Sequence, residues 1–287
     1  MKTDKKSGYV AIIGRPNVGK STLINTLIGE KISIVTSKPQ TTIQNILGIL
    51  NDHDSQVIFV DTPGLVSNKQ IATHHKAYNN SVLDALIGSD LIVMISEANK
   101  WNRVDDQLFE QIKAESIPSI HVVNKVDRFK DKNKILDFLK EHSYPEVFSD
   151  VVPVSAKYKK NLDELLKVIK SHLPLKDPDY EDNITTDQDE NFRLSEALRE
   201  RLMENLSDEL PYKFDCTIET IEDKDKVVVI EMAVLVKKQS HKKIIIGKQG
   251  QLLKKIGTEA RQEMEKIMGR QIYLSTYIRV IKAGRKY

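Results

Sequence analysis

Eight residues constrain this chain more than any other stretch: Gly14-Arg15-Pro16-Asn17-Val18-Gly19-Lys20-Ser21. They fit GxxxxGK[ST], with an apolar run, Tyr9–Ile13, in front and a helical pattern, Lys20–Leu27, behind. A strand that turns through glycines into a helix leaves backbone N–H groups facing inward at a helix N-terminus, where an anion is favoured. The pattern predicts a phosphate cradle in which Lys20 reaches the β- and γ-phosphates and Ser21, followed by Thr22, offers a hydroxyl to Mg²⁺. A purely structural glycine-rich turn is the plain alternative.

Other apolar runs alternate with helical patterns. Val57–Val60, Leu91–Ile95, Ile120–Val123 and Val151–Val154 read as buried strands. His75–Ile87, Val104–Ala114, Lys132–Lys140 and Leu162–Ser171 read as helices, and residues 44–51 as an edge strand. That alternation predicts an α/β domain with a mostly parallel sheet and helices on both faces. Ligands of such sheets bind where the strands end, and three polar motifs fall there. Asp61-Thr62-Pro63-Gly64 follows the Val57 run. Asp61 can hold Mg²⁺, and the N–H of Gly64 can approach a γ-phosphate because no Cβ stands in the way. Asn124-Lys125-Val126-Asp127 follows the Ile120 run. Its Asp127 can accept from both N1–H and the 2-amino group of guanine, a pairing adenine cannot offer, and such sites discriminate by roughly 10⁴. Lys125 can lay its stem along the purine, and Asn124 can tie this loop to the phosphate loop. Ser155-Ala156-Lys157 follows the Val151 run, with the Ala156 N–H placed to donate to guanine O6. Thr41 and Thr42 lie in a polar loop. The hydroxyl of Thr42 can close on Mg²⁺ only when a γ-phosphate is present, so GTP is expected to order that loop and residues 64–74.

The pattern breaks at Pro174–Glu190, rich in proline and acid, which reads as a linker between domains at 1–173 and 191–287. Its acidity would permit packing on a basic partner domain. Beyond it Leu194, Leu198, Leu202, Leu206 and Leu210 mark an amphipathic helix. Strands follow over roughly 212–222 and 226–237, then a basic segment, a helix over Gln251–Met268 and a last strand with Ile272, Leu274, Ile278 and Val280 on one face. Cys216, between Phe214 and Ile218, reads as a packed strand residue. Gly247-Lys248-Gln249-Gly250 is a GxxG followed by an amphipathic helix and surrounded by Lys242, Lys243 and Lys254. In that context it suits a clamp on single-stranded RNA phosphates. Alone, GxxG is a helix–helix turn.

Charge is divided unevenly. Residues 238–287 carry thirteen Lys/Arg against three acids, a net +10 within a chain of net +3. A polyanion at the C-terminal end is the functional reading, a solvated lysine-rich surface the plain one. The single cysteine excludes an internal disulfide. No run approaches the ~20 apolar residues of a membrane span, and no secretory signal stands at the N-terminus, so the expected location is cytoplasmic.

With GRPNVGKST, KPQTT, DTPG, NKVD, SAK and IIGKQG in this order, the chain resembles the Era family from Tyr9 to Lys282. The resemblance implies a GTPase domain followed by a small α+β type II KH domain, in which His241–Ile246 is a short helix rather than the strand its isoleucines suggest. It implies GTP hydrolysis to GDP, a role in small ribosomal subunit assembly, and a KH domain on single-stranded sequence near the 3′ end of the small-subunit rRNA. It also implies a cytoplasmic protein with peripheral association to the inner membrane face; a monomer is expected. Leu65 stands where many small GTPases carry a water-orienting glutamine. Slow intrinsic turnover is therefore expected, and the resemblance suggests K⁺ held with the help of Asn17. The rivals are a P-loop ATPase or nucleotide kinase, a scaffold with an inert nucleotide site, and a two-GTPase ribosome factor, which would need a second GxxxxGK.

Overall fold

The computed structural model describes residues 5–38, 41–42, 45–64, 85–129, 131–207 and 210–281. They fall into two compact units. In the first, the strands are β1 (Lys6–Gly14), β2 (Ile46–Asn51), β3 (Ser55–Asp61), β4 (Leu91–Glu97), β5 (Ser119–Asn124) and β6 (Asp150–Pro153). They form one sheet in the order β2-β3-β1-β4-β5-β6, parallel except for the edge strand β2 against β3. Alternation along β1 sends side chains to both faces. Val10 and Ile12 pack with Leu23 and Ile24 of α1 (Lys20–Ile28) and with Leu165 and Ile169 of α4 (Leu162–His172). Ala11 and Ile13 pack with Leu108 and Ile112 of α2 (Arg103–Lys113). A further helix, α3 (Lys132–Glu141), supplies Phe138 to a small cluster with Val123. Helices on both sheet faces match the expectation. Of the helix expected over His75–Ile87, the described part holds Ala85 and Leu86, both helical and buried; residues 75–84 lie outside the described residues.

The stretch read as a linker is not a loose tether. Ser7 N–H donates to the Pro174 carbonyl at 3.1 Å, and Ile49 N–H to the Thr185 carbonyl at 2.8 Å. The buried Gln56 amide bonds to the Tyr180 carbonyl at 2.8 Å and accepts from the Asp179 and Tyr180 N–H groups. Asn51 Nδ2 reaches the Ile184 carbonyl at 3.0 Å. Residues 174–187 therefore satisfy the exposed backbone of β2, the edge that would otherwise be open to foreign strands. The acidic segment is taken up by its own unit.

The second unit runs α5 (Glu190–Asn205), β7 (Phe214–Lys224), β8 (Val227–Val236), α6 (Gln239–Ile246), α7 (Gln251–Met268) and β9 (Ile272–Val280). Its sheet has the order β7-β8-β9, antiparallel then parallel. Leu194, Leu198 and Leu202 pack with Ile256, Ala260 and Met264 of α7 over Ile230, Met232 and Val234. The leucine period outlasts its helix: α5 ends at Asn205, yet Leu206 and Leu210 stay in the core from the following turns. The isoleucine run 244–246 is helical, as the resemblance implied.

Candidate nucleotide site and basic groove

The phosphate loop leaves β1 at Gly14 and enters α1 at Lys20. Gly19 has φ 106°, and a Cβ there would stand 2.4 Å from Asn124 Nδ2, so only glycine fits. Asn17 also lies in the left-handed region, at φ 63°. Lys20 is buried, and its Nζ donates to the carbonyls of Gly14 and Arg15, both at 3.1 Å. Burial pulls its pKa down to about 8 against the opposing pull of Asp61. The ammonium thus occupies the cradle on carbonyls that an anion can replace. The Arg15 side chain is engaged elsewhere. Its guanidinium pairs with the buried Asp105, Nε to Oδ2 at 2.6 Å, and donates to the Lys100 carbonyl. Only its backbone is left to face a phosphate.

The three residues expected at Mg²⁺ meet. Ser21 Oγ donates to Asp61 Oδ2 at 2.7 Å and lies 3.3 Å from Thr42 Oγ1. Asp61 is fully buried, and burial raises its pKa in spite of Lys20. Its buried Oδ1 has no well-aligned hydrogen bond, though the Ser33 hydroxyl lies close enough to steady the carboxylate. An acceptor left unpaired at full burial costs about 1–3 kcal/mol and asks for a partner. Thr62 is anchored by its hydroxyl to the Ile12 carbonyl at 2.8 Å, and Pro63 is buried beside it. A Cβ on Gly64 would meet Pro16 N at 2.7 Å and Lys20 Nζ at 3.0 Å, so the DTPG turn touches the phosphate loop. Leu65 and residues 65–74 lie outside the described residues, as do Pro39 and Gln40 of KPQTT.

On the base side Asn124 is the hub. Its Nδ2 donates to the Val18 carbonyl at 2.9 Å, and its Oδ1 accepts from Lys125 N–H at 2.8 Å and Ala156 N–H at 3.0 Å. The Ala156 N–H, expected to face guanine O6, thus donates to a protein carboxamide instead. Asp127 accepts from the Ser155 hydroxyl. Lys125, at φ 65°, donates to the Asn17 carbonyl and pairs with Glu97 at 2.9 Å. Lys157 is exposed, with Nζ 5.3 Å from the Tyr158 ring centre.

In the second unit Gly247, Gln249 and Gly250 all take positive φ (72°, 51° and 76°), and a Cβ on Gly247 would stand 2.6 Å from Leu252 Cβ. Lys243, Lys248 and Lys254 are exposed and Lys242 half-buried. From Gly250 a groove of about 340 Å³ runs between α7 and β9, past Lys254, Gly257, Thr258, Arg261 and Thr276. The last four were not legible as site residues. No local signal marks them: helix and strand are in ordinary contact there, and a Cβ on Gly257 would lie 3.4 Å from Thr276 Oγ1. Cys216 is a free, half-buried thiol in β7 whose pKa is pushed well up by burial, as suits a packed strand residue. Among the described residues no helix is long and apolar enough to cross a membrane.

Residues 9–125 match the family of 50S ribosome-binding GTPases, and 209–285 match the KH domain family. The chain is 39% identical over 295 residues to the GTPase Era of Vibrio vulnificus, covering 98% of this chain and 91% of that one. It is 40% identical to the GTPase Era of Nitrosomonas eutropha, with coverage of 97% and 93%. Among solved structures it resembles Era in complex with MgGDPNP and nucleotides 1506–1542 of 16S ribosomal RNA, with TM-score 0.91, 36% identity and coverage of 97% and 95%. An Aquifex aeolicus Era variant bound to GDP·AlF4⁻ gives the same values.

Proposed function

Because the chain belongs to the Era family of GTPases, we propose that it is a GTP-driven switch that grips single-stranded rRNA near the 3′ end of the small-subunit rRNA and assists assembly of the small ribosomal subunit. Hydrolysis of GTP to GDP and phosphate is the activity of the first unit. The observation that carries this reading is the Asn124 carboxamide, which joins the phosphate loop, the NKVD loop and the Ser155–Lys157 turn at one sheet edge.

The backbone N–H groups of the Gly14–Ser21 loop, Pro16 excepted, receive the phosphates, and Lys20 exchanges its two carbonyls for phosphate oxygens. Ser21, Thr42 and Asp61 would hold Mg²⁺, and the unpaired buried Oδ1 of Asp61 fits that donor set. When bound, the ion supplies positive charge against the phosphates. Gly64 brings its N–H toward the γ-phosphate. Leu65 has no group to orient water, so catalysis rests on positioning and on fixed dipoles and charges. Asn17 places a side-chain amide in the phosphate loop, and we assign it a part in holding K⁺, which would offset charge as the γ-phosphate leaves. In the second unit Gly247–Gly250 with Lys242, Lys243, Lys248 and Lys254 clamp RNA phosphates, while the groove along α7 receives bases. The protein acts as a cytoplasmic monomer, and its basic unit is the surface that would meet an anionic inner membrane face.

Asp127→Asn tests the reading. Xanthine carries a carbonyl where guanine has its 2-amino donor, so an amide at 127 is expected to turn preference from GTP to XTP. Retained preference for GTP would show that Asp127 does not read the base.

A further inference from the structure

Two buried carboxylates stand beside the nucleotide site without belonging to any of its motifs. Glu97 closes β4, and Asp105 lies in the first turn of α2. Each holds a cation from a different nucleotide loop. Asp105 Oδ2 pairs with Arg15 of the phosphate loop at 2.6 Å, and Glu97 Oε2 with Lys125 of the base loop at 2.9 Å. Exposure is 0% for Asp105 and 6% for Glu97, so neither pair is a solvated surface bridge of little worth.

The segment that carries them is itself rigidly held. Asn102 and Asp105 form a capping box, with Asn102 N–H to Asp105 Oδ2 at 2.9 Å and Val104 N–H to Asn102 Oδ1 at 2.9 Å. Trp101 packs against His121, His142 and Tyr144 and donates from Nε1 to Asp106 at 2.7 Å. Ala98 N–H donates to the Asn124 carbonyl at 2.8 Å, and Lys100 and Arg128 also pair with Glu97. Lys125 in turn reaches the Asn17 carbonyl, so base loop and phosphate loop are joined to each other and to this one segment.

We propose that Glu97 and Asp105 are positioning residues for the GTPase reaction: the 97–105 segment is a bracket that fixes Arg15 and Lys125, and so holds phosphate loop and base loop at the separation of one guanine nucleotide. The inference rests on the nucleotide-site reading above. It also gives Arg15 a role that does not involve touching phosphate.

The test is a pair of double-mutant cycles on the full chain, read by the dissociation rate of a fluorescent GDP. Asp105→Asn and Arg15→Met are each expected to speed dissociation about tenfold, the loss of one charge-assisted bond, and the double variant no further than either single one. In the second cycle Lys125→Met, which also loses its bond to the Asn17 carbonyl, should cost more than Glu97→Gln, and Glu97→Gln should add nothing to it. Glu97→Asp and Asp105→Glu, which keep the charge, should recover part of the loss and hold the fold if the amides do not. For Glu97→Gln the KM for GTP should rise while kcat stays within about threefold. Dissociation rates within twofold of the parent, or fully additive cycles, would overturn the bracket. A parent protein that fails to hold GDP would instead overturn the nucleotide-site reading.

Discussion

Removing the Asn124 side chain should open the nucleotide site from within. Asn124→Ala deletes one donor and one doubly used acceptor at a position only 2% exposed. The Val18 carbonyl and the Ala156 N–H are then stranded, each in a residue buried to 2% or less. At about 1–3 kcal/mol per stranded group, the local cost is on the order of 2–6 kcal/mol. Part of that is recovered as the loops relax in the free protein, and nucleotide binding must then restore it. At 1.4 kcal/mol per tenfold, a residual of about 3 kcal/mol weakens GDP binding by on the order of a hundredfold. Asn124→Asp keeps the acceptor and loses the donor, so it should fall between parent and alanine variant. Equilibrium titration with fluorescent GDP measures the affinity, and thermal unfolding of the free proteins separates loop loosening from collapse of the domain. An alanine variant that binds GDP within threefold of the parent would refute the hub.

Three other outcomes are expected. Turnover of GTP should be faster in KCl than in NaCl at equal ionic strength, and Asn17→Ala should abolish the difference; equal rates in the parent remove K⁺ from the reading. Lys248→Gln should lower affinity for single-stranded RNA and reduce the slope of log K against log salt by about 0.7, the share of one phosphate contact; an unchanged slope means Lys248 touches no phosphate. His121 is held by burial at about 4, against an ordinary value of 6.5. Between those values the unfolded chain carries the proton and the folded one does not, so stability is lost as pH falls from 6.5 toward 4, by about 2 kcal/mol at pH 5. Urea midpoints at pH 7 and pH 5, followed by the fluorescence of Trp101, should show that drop in the parent and lose that share of it in His121→Gln.

Much of this could be seen in the chain before folding because it is written in short range. A strand such as Ile120–Val123 is rich in β-branched residues, and a motif at its end inherits its place from the sheet. Contacts made by backbone or by ordinary polar residues leave no such trace. Gln56 and Asn51 look like surface amides in sequence, yet they pin residues 179–184 along the sheet edge. Arg15 sits inside a phosphate motif, and nothing local says that its partner is Asp105. Thr258 and Thr276 flank the groove only because α7 and β9 close together at Gly257. The helix at 239–246 is the converse: its isoleucines favour a strand, and the tertiary setting, with Ile245 in the core, outweighs that preference.

Charged and hydrogen-bonding side chains gather inside the first unit where β1, β3, β4 and β5 end. There Lys20, Thr42, Asp61, Glu97, Asn124 and Ser155 are all buried. Buried polar groups weaken a fold unless each finds a partner, and these find one another incompletely. Lys20 rests on two neutral carbonyls, its pKa pulled down by burial, while Asp61 is pushed up and keeps one oxygen unpaired. A hydrophobic replacement at either position would remove a buried charge and, on the proposed reading, the group that meets nucleotide. The free site is therefore strained in its electrostatics, and its loops hold Asn17 and Lys125 in the left-handed region as well. A bound phosphate and its cation would relieve that strain, because Lys20 and Asp61 offset each other only in part.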